Sequence, residues 1–161
     1  MTEIEKIYKA YFNDVYLFIL KLSRNEHIAE EITSETFFKA INSIDNFKGT
    51  CEIRVWLCQI AKNCYYTYLR KNKNIDGEYN IEVNSGAFDI EQTILNTETS
   101  MKIHKALHNL KEPYKEVFTL RIFGELSFKQ IAILFDKTEN WACVTYHRAR
   151  NKILERMEDY I

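Results

Sequence analysis

Four Gly and one Pro in 161 residues constrain the fold class more than any other feature of the chain. An all-β chain needs turn residues roughly every eight to twelve positions, and these are too few to supply them. The bulk is therefore expected to be helical. With 46% hydrophobic and 28% charged residues, the chain can bury a core and is not disordered as a whole. Its length suits one medium domain or two small ones. The longest uncharged apolar stretch, Val15–Leu20, falls far short of the roughly twenty residues of a membrane span, and nothing at the start resembles a signal peptide. The expectation is a soluble, cytoplasmic chain. Cys51, Cys58, Cys64 and Cys143 form no CxxC pair, so they are expected as free thiols rather than bridges.

The formal charge of −1 conceals an uneven distribution. Residues 1–73 carry eleven Lys/Arg against nine Asp/Glu, residues 74–100 carry none against six, and residues 101–161 carry eleven against eight. The acidic middle also holds two of the four Gly and many Asn, Ser and Thr. It reads as a flexible acidic linker between two small lobes, 1–73 and 101–161. The alternative is one long surface loop, a length uncommon in compact domains.

In the first lobe, Ile4, Ile7, Tyr8, Tyr11, Phe12, Val15, Phe18, Ile19 and Leu22 recur at the spacing of one helical face. A polar break at Ser23-Arg24-Asn25 precedes a second pattern of Ile28, Ile32, Phe37, Ala40, Ile41 and Ile44, with Glu26, Glu30 and Glu31 in its early turns. After Asp45–Gly49, Thr50 is expected to cap a third helix carrying Ile53, Trp56, Leu57, Ile60, Ala61, Cys64 and Tyr68. The result is a small helical bundle. From Arg54 to Ile75 there is no acid, while Arg54, Lys62, Arg70, Lys71 and Lys73 alternate with Trp56, Tyr65, Tyr66 and Tyr68. Cations neutralise phosphates and planar rings give unstacked bases a surface, so such interleaving suits nucleic acid. The plainer alternative makes the rings core and the cations a solvated face. On the second helix Glu30, Glu31 and Glu35 cluster beside Phe37 and Phe38. That face would repel DNA and suits a basic protein surface.

In the second lobe, a helix through Met101, Leu107 and Leu110 precedes Pro113, well placed at a helix start, and a helix through Val117, Phe118, Leu120, Arg121 and Ile122 to Gly124. Ser127 and Gln130 form a capping box before Ile131, Ala132 and Leu134. A turn at Asp136-Lys137-Thr138 follows, with Thr138 as cap of a final helix running to about residue 157. Short helix, tight turn and long helix make a helix-turn-helix, with Ala132, Ala142 and Tyr146 at the crossing. No acid lies between Glu139 and Glu155, and His147, Arg148, Arg150 and Lys152 form a cationic surface suited to phosphates beside a major groove. The pairs His104/His108 and Cys143/His147 have metal-binding spacing but lack further ligands, so no metal site is expected. No P-loop, nucleophile elbow or HExxH motif supports catalysis.

Together these residues resemble a bacterial sigma factor of the extracytoplasmic-function group of the sigma-70 family, built from a sigma-2 and a sigma-4 domain. The resemblance is carried by residues 29–37 (AEEITSETF), by Phe47-Lys48-Gly49 with Arg54-Val55-Trp56-Leu57 and Ile60-Ala61-Lys62-Asn63, and by Leu126-Ser127 through Ile131-Ala132 to residues 147–150 (HRAR). Ser34 stands where Gln is usual, Asp136 where Gly is usual, and Cys143 where a basic residue is usual. Asp tolerates the left-handed conformation of a turn. Cys143 removes an expected DNA contact.

The resemblance implies a division of tasks. Glu30, Glu31, Glu35, Phe37 and Phe38 would dock on a coiled coil of core RNA polymerase. Phe47, Lys48, Gly49 and Thr50 would hold a base flipped from the minus-ten element, with Arg54, Trp56, Asn63, Tyr66 and Arg70 on the opening duplex. Ser127 and the last helix, through Glu139, Asn140, Trp141, Val144 and Thr145, would read the minus-thirty-five element, with Arg148 and Lys152 on phosphates. The implied partners are core polymerase, double-stranded and melted promoter DNA, and an inhibitory, often membrane-bound, anti-sigma factor. The implied state is a monomer or a heterodimer with that inhibitor, serving a stress or envelope response. No cofactor or small-molecule substrate is required, because the polymerase performs the catalysis. A plain helix-turn-helix repressor would have no use for the Glu/Phe face. A helical adaptor that binds only proteins would have no use for the acid-free final helix.

Overall fold

The computed structural model describes residues 2–72 and 101–158, and every regular element among them is helical. They belong to two compact units. The expected linker 74–100 and Lys73 lie outside the described residues.

The first unit contains α1 (Glu3–Ser23), α2 (Glu26–Ser43), a 3-10 turn (Ile44–Asn46) and α3 (Ile53–Asn72). A capping box starts α1: Thr2 Oγ1 accepts the Glu5 N–H at 3.2 Å and Glu5 Oε2 accepts the Thr2 N–H at 2.8 Å. Arg24 then stops the helix in the left-handed region at φ 57°, donating its N–H to the Leu20 carbonyl at 2.7 Å. Asn25 immediately caps α2, its Oδ1 accepting the Ile28 N–H at 3.0 Å. Two residues therefore reverse the chain and bring α1 and α2 side by side.

The core contains Val15, Phe18 and Ile19 of α1, Ala29, Ile32 and Phe37 of α2, and Val55, Leu57 and Ala61 of α3. Thr33 and Thr36 are also buried, their hydroxyls donating to the carbonyls of Ala29 at 2.6 Å and Ile32 at 2.7 Å. This back-bonding lets them pack as small apolar groups. Tyr8 and Ile41, placed inward by the sequence pattern, are exposed. Thr50 does not cap α3, which begins three residues later; Glu52 O accepts the Trp56 N–H at 3.0 Å and Thr50 stays in the exposed loop.

The second unit contains α4 (helical over 101–108), α5 (Tyr114–Ile122), α6 (Phe128–Phe135) and α7 (Glu139–Glu158). Between α5 and α6 the chain turns at Gly124-Glu125. Glu125, not the glycine, takes the left-handed conformation at φ 55°. Gly124 is there for space, since a Cβ would stand 2.8 Å from the Leu120 carbonyl oxygen. The Ser127–Gln130 capping box forms as the sequence predicts, with bonds of 2.8 and 3.1 Å. Asp136 ends α6 at φ 53°, and Thr138 Oγ1 accepts the Trp141 N–H at 3.0 Å to start α7. Ala132 and Ala142 are buried at the crossing, and Tyr146 stacks on Phe118 at 5.9 Å.

Two outcomes follow from this packing. Gly124→Ala should destabilise the second unit by about 1–3 kcal/mol, because the new methyl meets backbone that cannot swing aside. Glu125→Gly should fall within about 0.5 kcal/mol of the parent, relief of the left-handed strain offsetting glycine's extra chain entropy. Thermal unfolding of the two variants checks the assignment, and the reverse ranking would refute it. In the first unit, burial pushes the Cys58 thiol from its ordinary 9.0 up to about 11, against the opposing pull of the Arg54 charge. Burial thus disfavours the thiolate in the folded state. The stability that this contributes is whole below pH 9.0 and is lost as pH climbs towards about 11. Cys58→Ala should flatten the decline of Tm across that window; parallel declines would assign it to other groups.

Candidate partner and nucleic-acid interfaces

On α2 the outward face runs through Glu30, Glu31, Ser34, Phe38 and Ile41, all exposed, with Phe38 at 66%. Glu35 lies beside them, half-exposed and 3.3 Å from Lys39 Nζ. The neighbouring Cys64 sulfur, then a hydrogen bond to Glu35 and the Glu35 charge, raise the Lys39 ammonium above its ordinary value. Phe37 does not share this face. It is 4% exposed, its ring 5.1 Å from Tyr8 and 6.0 Å from Phe12 of α1, because one residue's rotation about the helix turns Phe37 inward and Phe38 outward. Periodicity assigned Ile41 to the core, and the structure puts it on the face instead. The result is an acidic strip with two large apolar side chains at its end.

On α3, Trp56, Asn63 and Arg70 fall seven residues apart with Tyr66 between the last two, so they share one helical face. Asn63 and Arg70 are exposed, while Trp56 and Tyr66 are half-buried. Tyr66 leans on Tyr65 at 6.0 Å, and Arg70 Nη2 donates to Thr67 Oγ1 at 3.2 Å. The preceding loop joins this face through Phe47, whose ring lies 4.9 Å from Trp56. Gly49 takes φ +70° with open space around its Cβ position, so its backbone angle, not crowding, calls for glycine. Lys48 and Thr50 flank it in solvent.

Three cationic or aromatic positions of the interleaved stretch differ from expectation. Arg54 lies off the α3 face, half-buried, with Nε 3.9 Å from Asp14 Oδ2 of α1. Lys62 is fully buried at 0% exposure, and Tyr65 is buried beside Tyr66. The plainer alternative of core rings and solvated cations holds for Tyr65 but not for Lys62, which is a buried cation, while Asn63 and Arg70 are exposed.

In the second unit, Ala142, Thr145, Ala149 and Ile153 form the inner stripe of α7. Thr145, 5% exposed, therefore points away from any groove that α7 enters, since it shares the register of the two inner alanines. Glu139, Asn140, Val144 and Arg148 are exposed. His147 and Asn151 also lie on the outer side, and Asn151 is a polar position that charge counting passes over. Trp141 is half-buried against Phe135 at 5.4 Å, which ties it to the turn. Ser127 is exposed but uses its hydroxyl as the α6 cap. Lys152 Nζ sits 5.1 Å over the Tyr114 ring, so this cation is partly engaged within the unit.

His104 packs against Phe123 at 5.4 Å. Among the described residues no group of three His, Cys, Asp or Glu is arranged to hold a metal ion, and no helix is long and apolar enough to cross a membrane.

Comparison with known proteins maps onto the same two units. Residues 7–75 match the family Sigma-70 region 2, and residues 100–153 match the family Sigma-70, region 4. The ECF RNA polymerase sigma factor SigM of Bacillus subtilis is 30% identical over 93% of this chain and 92% of its own length. The RNA polymerase sigma factor YlaC of the same organism is 28% identical over 96% of this chain and 91% of its own. Among solved structures, the sigma factor RpoE of Bartonella quintana, determined in complex with the anti-sigma factor NepR, shares the fold with a TM-score of 0.64 at 20% identity. The match covers 98% of both chains. The two matched regions coincide with the two units, and the chain belongs to the extracytoplasmic-function group of the sigma-70 family of RNA polymerase sigma factors.

Proposed function

We propose that this alternative sigma factor divides its work between residues 1–73, which hold core polymerase and open the minus-ten element, and residues 101–161, which read the minus-thirty-five element. The observation that carries the reading is the separation of opposite surfaces. Glu30, Glu31 and Phe38 stand out on α2, whereas α7 presents Asn140, Val144, His147 and Arg148 with no acid from Asn140 to Leu154. An acidic strip repels DNA and attracts a basic coiled coil, while an acid-free helix does the reverse.

Within the first unit, Glu30, Glu31, Glu35, Phe38 and Ile41 dock on polymerase, with Phe37 supporting them from beneath. The Phe47–Glu52 loop receives an extruded base. Trp56, Asn63, Tyr66 and Arg70 line the adjacent duplex, and stacking with pocket hydrogen bonds offsets an unpairing cost of a few kcal/mol. In the second unit Asn140, Val144 and Asn151 approach base edges, Arg148 neutralises a phosphate and Glu139 borders the reading surface. Thr145 and Trp141 shape α7 from within. The chain supplies no catalytic group; bond formation belongs to the polymerase. It works in the cytoplasm, as a monomer or bound to an anti-sigma factor, in a stress or envelope response.

Run-off transcription with purified core polymerase on genomic fragments, with and without the chain, tests the function; discrete new transcripts are expected. Glu31→Lys combined with Glu35→Lys should reduce core binding at least tenfold in a pull-down while circular dichroism stays native, since both side chains are solvent-accessible and neither change opens a cavity. Native binding by this variant would move the docking face elsewhere. Lys48→Ala combined with Thr50→Ala, leaving Gly49 to hold its left-handed turn, should suppress permanganate reactivity of minus-ten thymines on duplex templates. A template with a pre-melted bubble should restore transcription, because the unpairing cost has been removed. Parental opening of intact duplex by this variant would make the loop a connector only.

A further inference from the structure

The α5–α6 corner carries a cation whose role is accounted for neither by the capping box nor by the basic face of α7. Arg121, in the last turn of α5, places its guanidinium carbon 4.2 Å from the centroid of the Phe128 ring. Its Nη1–H donates to the Leu126 carbonyl at 3.0 Å. Leu126 is fully buried and its own N–H returns to the Leu120 carbonyl at 3.1 Å, so the connector is gripped from both sides. Phe128 is the first residue of α6, and its ring lies 5.6 Å from Tyr146 and 6.4 Å from His147 of α7. Tyr146 in turn stacks on Phe118 of α5. A short chain of contacts thus runs from Arg121 through Phe128 to the middle of the proposed reading helix.

A guanidinium suits this place better than an ammonium. It is planar, so it can lie flat on a ring while an N–H in its own plane reaches a carbonyl. The far end of α6 is already fixed to α7 by the Asp136–Thr138 turn. The Arg121 tie fixes the near end to α5.

We propose that Arg121 is a positioning residue for promoter recognition: by clamping Leu126 and Phe128 to α5 it sets the pose of α6 and α7, and hence the register of α7 on base edges. The proposal rests on the reading that α7 enters the groove. It separates two quantities that a phosphate contact would link. A tilted α7 loses base-edge contacts and keeps its charge, so sequence discrimination falls while the salt slope holds. Loss of a phosphate contact lowers affinity on all sequences and reduces the salt slope by about one.

The test uses the full chain and two DNA probes: a duplex selected by the parent protein from a randomised pool, and a scrambled duplex of the same composition. Arg121→Lys keeps the charge but not the planar group that reaches the Phe128 ring and the Leu126 carbonyl together. It should lower the ratio of selected to scrambled affinity about five- to tenfold, with the salt slope unchanged. Phe128→Leu keeps apolar volume and removes the ring. It should lower the ratio similarly, and the double variant should lose no more than either single one, since both remove the same clamp. An unchanged ratio in both single variants would overturn the proposal. So would a full retention by Arg121→Lys coupled to a slope reduced by about one in Arg121→Gln, which would make Arg121 a phosphate contact. Arg148→Ala is the control for α7 in the groove and should reduce the slope on both probes. If it does not, the placement of α7 falls and the proposal with it. If it does, a negative result at Arg121 and Phe128 counts against the clamp alone. Native far-ultraviolet circular dichroism is required of each variant, and should Phe128→Leu misfold, Phe128→Tyr, which retains the ring, should keep the parental ratio and a lost ratio there would overturn the clamp.

Discussion

Both units depend on a backbone constraint: the chain reverses between helices through residues held in the left-handed region. Arg24, Glu125 and Asp136 adopt φ near +55° without being glycine. Each such residue costs about 1–2 kcal/mol in local conformational energy, so it persists only where the packing around it requires the turn. At Arg24 the requirement is the antiparallel seating of α1 against α2. At Asp136 it is the crossing of α6 and α7 over Ala132 and Ala142. Once those reversals are fixed, the outward register of α2 and α7 follows from helical geometry. The surfaces proposed to meet polymerase and DNA are in this sense secondary consequences of two turns.

The helix-turn-helix was legible in the sequence because its signals are local. A capping box, a second cap and a three-residue turn each depend on residues within a few positions of one another, and Ser127, Thr138 and Asp136 behave as their chemistry dictates. The ring-and-amide face of α3 was legible in part, since Trp56, Asn63 and Arg70 share a heptad spacing that any helix would align. What escaped depended on partners distant in sequence. Phe37 and Phe38 are equally apolar neighbours, and only α1 decides between them by offering Tyr8 and Phe12 to one. Thr33 and Thr36 are buried with their hydroxyls bonded to carbonyls of their own helix, while Ile41 stays outside, a choice of register that composition does not reveal. Lys62 and Arg54 looked alike as cations, yet one is buried inside the bundle and the other turns towards Asp14 on a different helix. Thr145 reads as polar yet sits on the inner stripe of α7 with Ala142 and Ala149, a placement set by helical register and not by residue type.

The substitution of Asp136 for the usual glycine of the turn and of Cys143 for the usual basic residue have different physical weights. Asp136 occupies the left-handed cap without disturbing the bond from the Lys137 N–H to the Ala132 carbonyl at 2.9 Å, so the turn is intact. Cys143 is half-buried on α7 and brings no basic group to it, which on the proposed reading leaves Arg148 and its neighbours a larger share of phosphate neutralisation. If α7 enters the groove as proposed, the exposed side chains Asn140, Val144 and Asn151 weigh more in recognition than bulk attraction does. A surface of this kind trades tight sequence-independent binding for dependence on the fit of α7.

The chain has two tryptophans, one in each unit, and both sit at the margins of the proposed DNA interfaces. Trp56 packs on Phe47 at the loop before α3, and Trp141 packs on Phe135 at the turn before α7. Each indole is half-buried, so its emission depends on a local shell that strand opening or groove entry would alter. The protein therefore carries a separate intrinsic fluorophore for each of its two proposed promoter contacts. Replacing one tryptophan at a time makes the order in which the two elements are engaged readable by stopped-flow optics without any label.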